Sequence, residues 1–144
     1  MFQDLLNRLI QPDPAPITDG DARLALTALL VRVARSDNHY SGDEQRLIDE
    51  ITAHRYQLPP PEAEALRSEA EAMEAQAPDT VRFTRAIKDA VAYEDRLGVI
   101  EALWKVVLAD GKRAKEEDAL LRLVANLLGV SDPDSARARH RVSG

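Results

Sequence analysis

The sequence predicts an all-α fold, a single-domain bundle of seven to eight helices with an internal helix–loop–helix duplication. Three observations lead to this prediction. Apolar residues recur at the three- and four-residue spacings of amphipathic helices, and no segment alternates with the period of two typical of strands. The apolar fraction is 44% but the aromatic fraction is only 4%, so Leu, Val, Ile and Ala must form the core. Finally, two helical patterns in the chain match each other position by position.

The first half of the chain contains three helix signals. Residues 2–10 are predicted to form a short helix, which three prolines between residues 11 and 16 end. Residues 18–21 read as a capping box that opens a longer helix, and this helix closes at Asp37. Residues 41–44 are a second capping box, and the helix that follows faces inward through Leu47, Ile48 and Ile51. The stripe of the longer helix consists of Leu26, Leu29, Leu30, Val33 and Ala34.

The remaining helices are predicted from breaks in the apolar pattern. Prolines precede the first two of them, a Glu-Asp pair precedes the third, and an Asp-Gly pair separates the third from the fourth. The predicted helices run from Glu62 to about Ala77, from Pro78-Asp79 through Val91, from about Arg96 to Ala109, from beyond Gly111 to Gly129, and from Ala136 to Val142.

The duplication relates two helix–loop–helix patterns by a shift of 73 residues, the distance from Asp37 to Asp110. In each copy an Asp closes the first helix and a Glu opens the second. The pairs are Asp37 with Glu44 and Asp110 with Glu117. These acids continue the core-facing stripe, so their carboxylates should lean inward at the hairpin tips, with residues 60–95 bridging the two hairpins. A carboxylate there needs hydrogen-bond donors or a cation, because unpaired buried charge is costly.

Two interpretations of the four acids remain open. In the first, they are helix caps that accept hydrogen bonds from backbone N–H groups of the loop and of the next helix. In the second, they bind a divalent cation, and their oxygen ligands favour Ca²⁺ or Mg²⁺ over Zn²⁺. The spacing is too short for an EF-hand. The three His residues have no helical partner three or four positions away, so no zinc cluster and no other cofactor is predicted.

Composition excludes several classes of function. With no Cys, the chain has no disulfides, thiolate zinc sites or Cys nucleophiles. The 25 acidic and 19 basic residues give a net charge of -6, so we expect no nucleic-acid partner. No signal peptide and no apolar run of the ~20 residues that cross a bilayer is recognised, which predicts a cytoplasmic protein without a transmembrane segment. No Ser/His/Asp order, P-loop or dinucleotide turn is present, so we expect no enzyme.

Two smaller features complete the candidates. Trp104 lies beside the stripe of its helix, and we expect it to pack against the bridging helices. Arg137, Arg139, His140 and Arg141 give this acidic chain a basic end. That end is either solvated, or it contacts the acidic loops of the chain itself or an anionic lipid.

The second copy of the pattern resembles a known family. Residues 104–111 read WKVVLADG, and Glu117 and a helix ending at Gly129 follow. Residues 33–37 with Glu44 repeat the pattern in the first copy. Together they resemble the tellurite-resistance TerB-like family, whose domain type also occurs on the N-terminal side of DjlA-type co-chaperones. The resemblance covers roughly residues 20–142.

The resemblance implies a helical bundle without known catalytic activity. It also implies divalent-metal binding through Asp37, Glu44, Asp110 and Glu117, linked to stress responses and membrane-associated complexes. We therefore expect protein partners and allow peripheral membrane association. The alternative is a metal-free protein–protein interaction domain in which the acids are helix caps. The resemblance divides the chain into a short N-terminal helix with a Pro-rich linker, residues 1–17, and a TerB-like helical domain, residues 18–144.

Overall fold

The computed structural model describes residues 5–7, 19–35, 40–77, 80–109 and 115–143. Within these ranges the chain is helical and contains no β-strand, which confirms the predicted all-α bundle. Residues 5–7 form one helical turn, and seven longer helices follow. These are α1 (Asp19–Ala34), α2 (Gly42–Tyr56), α3 (Pro60–Gln76), α4 (Thr80–Ala90), α5 (Tyr93–Ala109), α6 (Lys115–Leu127) and α7 (Asp132–Ser143). None of these described helices is long and apolar enough to cross a membrane.

Helix α1 is the centre of the bundle. It packs against α2, α3, α4, α5 and α6, and every residue from Leu24 to Val31 is buried. The sequence predicted one apolar stripe, but a helix that is apolar all round has to be enclosed on all sides. Thr27 is the polar residue in this run, and its hydroxyl donates to the carbonyl oxygen of Arg23 at 2.6 Å. That bond within the helix satisfies the buried hydroxyl.

The N-terminal turn also belongs to the core. Leu5 and Leu6 are only 1% and 3% exposed and join the buried cluster around α1. The predicted capping box at residues 18–21 begins at Thr18, which lies outside the described residues. The division of the chain between residues 17 and 18 therefore stays a prediction.

The duplicated helix pair is present in the structure. Helices α1 and α2 recur as α5 and α6, and α1 packs against both α5 and α6 while α2 packs against α5. The contact of α1 with α6 corresponds to the contact of α5 with α2, as expected for two copies related by a pseudo-two-fold axis. Apolar positions 73 residues apart that are buried in both copies include Leu26 and Val99, Leu29 and Ala102, Leu30 and Leu103, Val31 and Trp104, Val33 and Val106, Ile48 and Leu121, and Ile51 and Val124.

Each copy also includes a third helix; both of these helices were predicted, but not as parts of the duplication. Helix α3 packs against α1 and α2, as α7 packs against α5 and α6. Both are entered through the same turn, in which Gln57 and Gly129 take the left-handed φ values of 56° and 74°. The N–H groups of Leu58 and Val130 then donate to carbonyl oxygens five residues earlier, at 3.0 and 2.9 Å, as in a Schellman motif. The predicted bridge of residues 60–95 is therefore too long, because α3 belongs to the first unit.

Three helices begin earlier than predicted. Helix α3 begins at Pro60, α5 at Tyr93 and α7 at Asp132. A proline fits the first helical turn because its missing N–H would have no partner there. Glu94 and Asp95 were predicted to form the break between two helices. They lie instead in the first turn of α5, where the helix dipole favours negative charge.

The shared left-handed turn yields a paired stability prediction. Gln57→Gly should raise the free energy of unfolding by about 1 kcal/mol, because glycine adopts positive φ without steric cost. Gly129→Ala should lower it by about 1–2 kcal/mol, and its Cβ would also come within 3.1 Å of Lys88 Cε. Urea unfolding followed by circular dichroism measures both changes. Shifts of the same sign for the two variants would contradict the assigned turn.

Candidate functional site

Glu44 is the one predicted ligand whose side chain the structure describes. It is 9% exposed, so its carboxylate faces inward as the stripe predicted. The N–H of Glu44 donates to Ser41 Oγ at 3.1 Å, and Glu44 Oε1 accepts from the N–H of Ser41 at 3.3 Å. The predicted capping box at the start of α2 is thereby confirmed.

Glu44 borders a cavity of about 440 Å³ between the start of α2 and the end of α5. We call this cavity the acidic cavity. Three of its lining side chains are carboxylates, Asp43, Glu44 and Glu50, and Asp43 forms an ion pair with Arg46. Val106 of α5 lines the same cavity, and Asp110 follows it by four residues. The end of the second unit's first helix thus reaches the acid residues of the first unit. Among the described residues, Ser41 and Leu47 also line the cavity.

A hydrogen-bonded network holds α2 on α3 beside the acidic cavity. The hydroxyl of Tyr40 donates to Glu71 Oε2 at 2.6 Å. Arg67 bridges the two helices, with Nη1 donating to Glu71 at 3.0 Å and Nε to Asp49 at 2.7 Å. Burial, and next the bond to Glu71, raise the pKa of Tyr40, and the bond to Asp49 raises the pKa of Arg67. Both groups stay protonated at neutral pH, so these charge-assisted bonds fix the start of α2.

A second set of ion pairs holds the end of α1 on the same helix. Glu74 of α3 accepts from Arg32 Nε and from Arg35 Nη1, each at 3.2 Å. The helices that enter and leave the first acid loop therefore both rest on α3. This charged face of α3 was not predicted. The spacing of Arg67 and Glu71, four residues apart on one helix, was the signal in the sequence that could have indicated it.

The other predicted ligands are not placed by the structure. Asp37 and Asp110 lie outside the described residues. Glu117 is in the first turn of α6, but its side chain is outside what the structure describes. Among the described side chains, no three His, Asp or Glu groups converge to hold a metal ion. A cation at the acidic cavity would therefore need ligands from residues 36–39 or 110–118, and the pairing of the four acids stays a prediction.

Trp104 packs differently from the expectation. It is buried against α7 of its own unit, where Nε1 donates to Ser135 Oγ at 3.1 Å. The guanidinium of Arg139 lies 5.3 Å from the ring centroid. The prediction of contact with the bridging helices was wrong because α7 takes the place in the second unit that α3 takes in the first. Arg141 of the basic end pairs with Glu101 of α5 at 2.9 Å rather than with a described part of the acid loops.

The capping role of the Ser41–Glu44 pair can be tested without metal. Ser41→Ala removes the capping hydroxyl and should lower the free energy of unfolding by about 1 kcal/mol. Glu44→Gln should lower it less, since Gln also serves at this position of a capping box. Urea unfolding in the presence of chelator compares the two. A larger loss for Glu44→Gln than for Ser41→Ala would show that the charge of Glu44 matters more than the cap.

Comparison with known proteins identifies the family. The family model described as "Tellurite resistance protein TerB" matches residues 23–140. The match runs from the second turn of α1 to the end of α7 and includes both Asp–Glu pairs. No curated protein and no solved structure matches the chain. Because the family model covers well over half of the sequence and spans both three-helix units, the chain belongs to the TerB family.

Proposed function

We propose that this chain is a non-enzymatic TerB-like binding module whose acid loops take up a divalent cation, Ca²⁺ or Mg²⁺ in preference to Zn²⁺. The observation that carries the proposal is the placement of Glu44. Its carboxylate is buried, and it borders a cavity that two further carboxylates and the end of α5 also line.

The charge at the acidic cavity supports a cation. Among its described lining residues, three carboxylates face one guanidinium, that of Arg46, which is already paired with Asp43. A buried carboxylate loses favourable hydration, and a nearby cation offsets that loss. The side-chain atoms that could bind a metal here are hard oxygen ligands, which suit Ca²⁺ and Mg²⁺. Asp37, Asp110 and Glu117 would complete the coordination shell in this proposal.

Cation binding at this place would act on the surface of the module. The acidic cavity lies between the start of α2 and the end of α5, which belong to different units. A cation held there would reduce repulsion among the carboxylates and tie the two units together. The loop end of the bundle would then offer protein partners a surface that depends on the cation. Such a module fits the stress-response role that the family resemblance implies.

A metal-free interaction domain is the second candidate. The capping box favours it, because Ser41 already supplies hydrogen bonds to Glu44 Oε1. In this case the acids stabilise the helix ends, and the surface binds partners without a cation. Asp110→Ala would then lower stability equally with and without chelator.

The cation proposal is tested by calorimetric titration of metal-free protein with Ca²⁺, Mg²⁺ and Zn²⁺. We expect heat of binding and a higher melting temperature with Ca²⁺ or Mg²⁺. Glu44→Gln and Asp110→Asn should each raise the dissociation constant about tenfold or more, equivalent to ~1.4 kcal/mol. Glu64→Gln, which removes an exposed acid on α3, is the matched control and should bind as the wild type does.

The outcomes separate the two candidates. If none of the three ions gives heat of binding or a shift in melting temperature, the cation site is ruled out. The metal-free interaction domain then remains. Equal binding by Glu44→Gln and the wild type would place the cation elsewhere on the chain. Comparing the proteins that co-purify with the chain, with and without chelator, then shows whether partner binding depends on the cation.

A further inference from the structure

A second cavity lies at the other end of the bundle from Glu44. It has a volume of about 390 Å³, and we call it the arginine pocket. It forms where α1 begins, α2 ends and α5 begins, whereas the acidic cavity forms where α2 begins and α5 ends. Asp95 lines one and Val106 the other, which separates them by about 16 Å along α5. The pocket is lined by Ala22, Arg23, Leu26, Arg55, Tyr56 and Asp95.

Two guanidinium groups meet on one aromatic ring in this pocket. The Cζ atoms of Arg23 and Arg55 lie 5.0 and 5.7 Å from the ring centroid of Tyr56. Neither arginine takes part in an ion pair among the described residues, where other arginines on α1, α2, α3 and α7 do. Arg55 Nε is buried without a hydrogen-bond acceptor. The ring face of Tyr56 attracts the two cations, and it provides no acceptor for the buried Nε of Arg55.

A glycine on α5 makes room for Arg55. A Cβ at Gly98 would overlap the Cζ, Nη1 and Nη2 atoms of Arg55, so the guanidinium lies directly against the helix backbone. Glycine within a helix lowers its stability relative to alanine. At the shift of 73 residues, Ala25 corresponds to Gly98 and Leu128 corresponds to Arg55, and both are buried apolar residues. The duplicated pattern therefore does not by itself require a glycine and an arginine at these two positions.

Two further groups set the chemistry of the pocket. Burial raises the pKa of Tyr56 despite the opposing effect of the neighbouring arginines, so its hydroxyl is protonated at neutral pH and can donate. Asp95 also lines the pocket, and no ion pair joins it to either arginine among the described residues. Its charge opposes an anion in the pocket, and it would select ligands that carry a donor next to the anionic group.

We propose that the arginine pocket binds a phosphate-type oxyanion, held by the guanidinium groups of Arg23 and Arg55 and by the hydroxyl of Tyr56. The planar fork of a guanidinium matches the paired oxygens of a phosphate. The volume of the pocket is within the range of small-molecule sites. The phosphate belongs either to a soluble metabolite or to a lipid headgroup, since both present the same oxygens. This ligand is opposite in charge to the cation proposed at the acidic cavity and independent of it.

The experiment has two arms, each on metal-free protein. In the first, sodium pyrophosphate is titrated by calorimetry at low ionic strength. In the second, the protein is sedimented with phosphatidylcholine vesicles with and without phosphatidic acid. Arg55→Gln and Gly98→Ala should each weaken binding about tenfold or more, the latter by displacing the guanidinium. Arg85→Gln, an exposed arginine on α4, is the control and should bind as the wild type does.

Asp95→Asn adds a change of opposite sign, because removing the opposing charge should tighten binding severalfold. Circular dichroism checks that each variant is folded, and if Arg55→Gln does not fold, Gly98→Ala and Asp95→Asn decide. If Arg55→Gln and Gly98→Ala weaken the binding of pyrophosphate and Asp95→Asn tightens it, the ligand is a soluble phosphate. If these effects occur only with the vesicles that contain phosphatidic acid, the ligand is a lipid headgroup. Absence of binding in both arms, or variants that bind as the wild type does, overturns the proposal.

Discussion

The enclosure of α1 is the constraint on which the other helices depend. Its residues 24–31 are buried around the whole helix, and a helix without a polar face is stable only when neighbours cover every side. Five helices from both units provide that cover. Because the middle of the bundle is filled, the acidic cavity and the arginine pocket lie where helices begin and end. Carboxylates collect at one end and arginines without carboxylate partners at the other.

Local signals in the sequence predicted most of the fold. The amphipathic spacing predicted the helices, the Ser41–Glu44 spacing predicted the capping box, and the 73-residue shift predicted the repeated helix pair. Helices α3 and α7 were predicted as helices, but not as a repeated third helix, because they share few residues. The turns before them use Gln57 and Gly129, and only the glycine adopts this left-handed conformation without steric cost. A pattern of residue types does not reveal that equivalence.

The candidate sites were predictable only in part. The inward position of Glu44 follows from its place on the apolar stripe, because the period of one helix determines which side faces the core. The contacts of Tyr40 with Glu71 and of Arg55 with Gly98 join residues 31 and 43 positions apart. Such contacts depend on how helices cross, and one sequence carries no signal for the crossing. The space that Gly98 leaves for Arg55 is visible only in three dimensions.

The two-unit architecture has a consequence for the order in which the protein matures. Helices α1, α2 and α3 leave the ribosome first, but the side of α1 that faces α5 and α6 has no cover until those helices follow. The first unit therefore emerges with an exposed apolar face. That face is buried only after the second unit has been synthesised. A second copy of the first unit would cover that face as well. Because α4 joins the two units in one chain, the cover of that face does not depend on protein concentration.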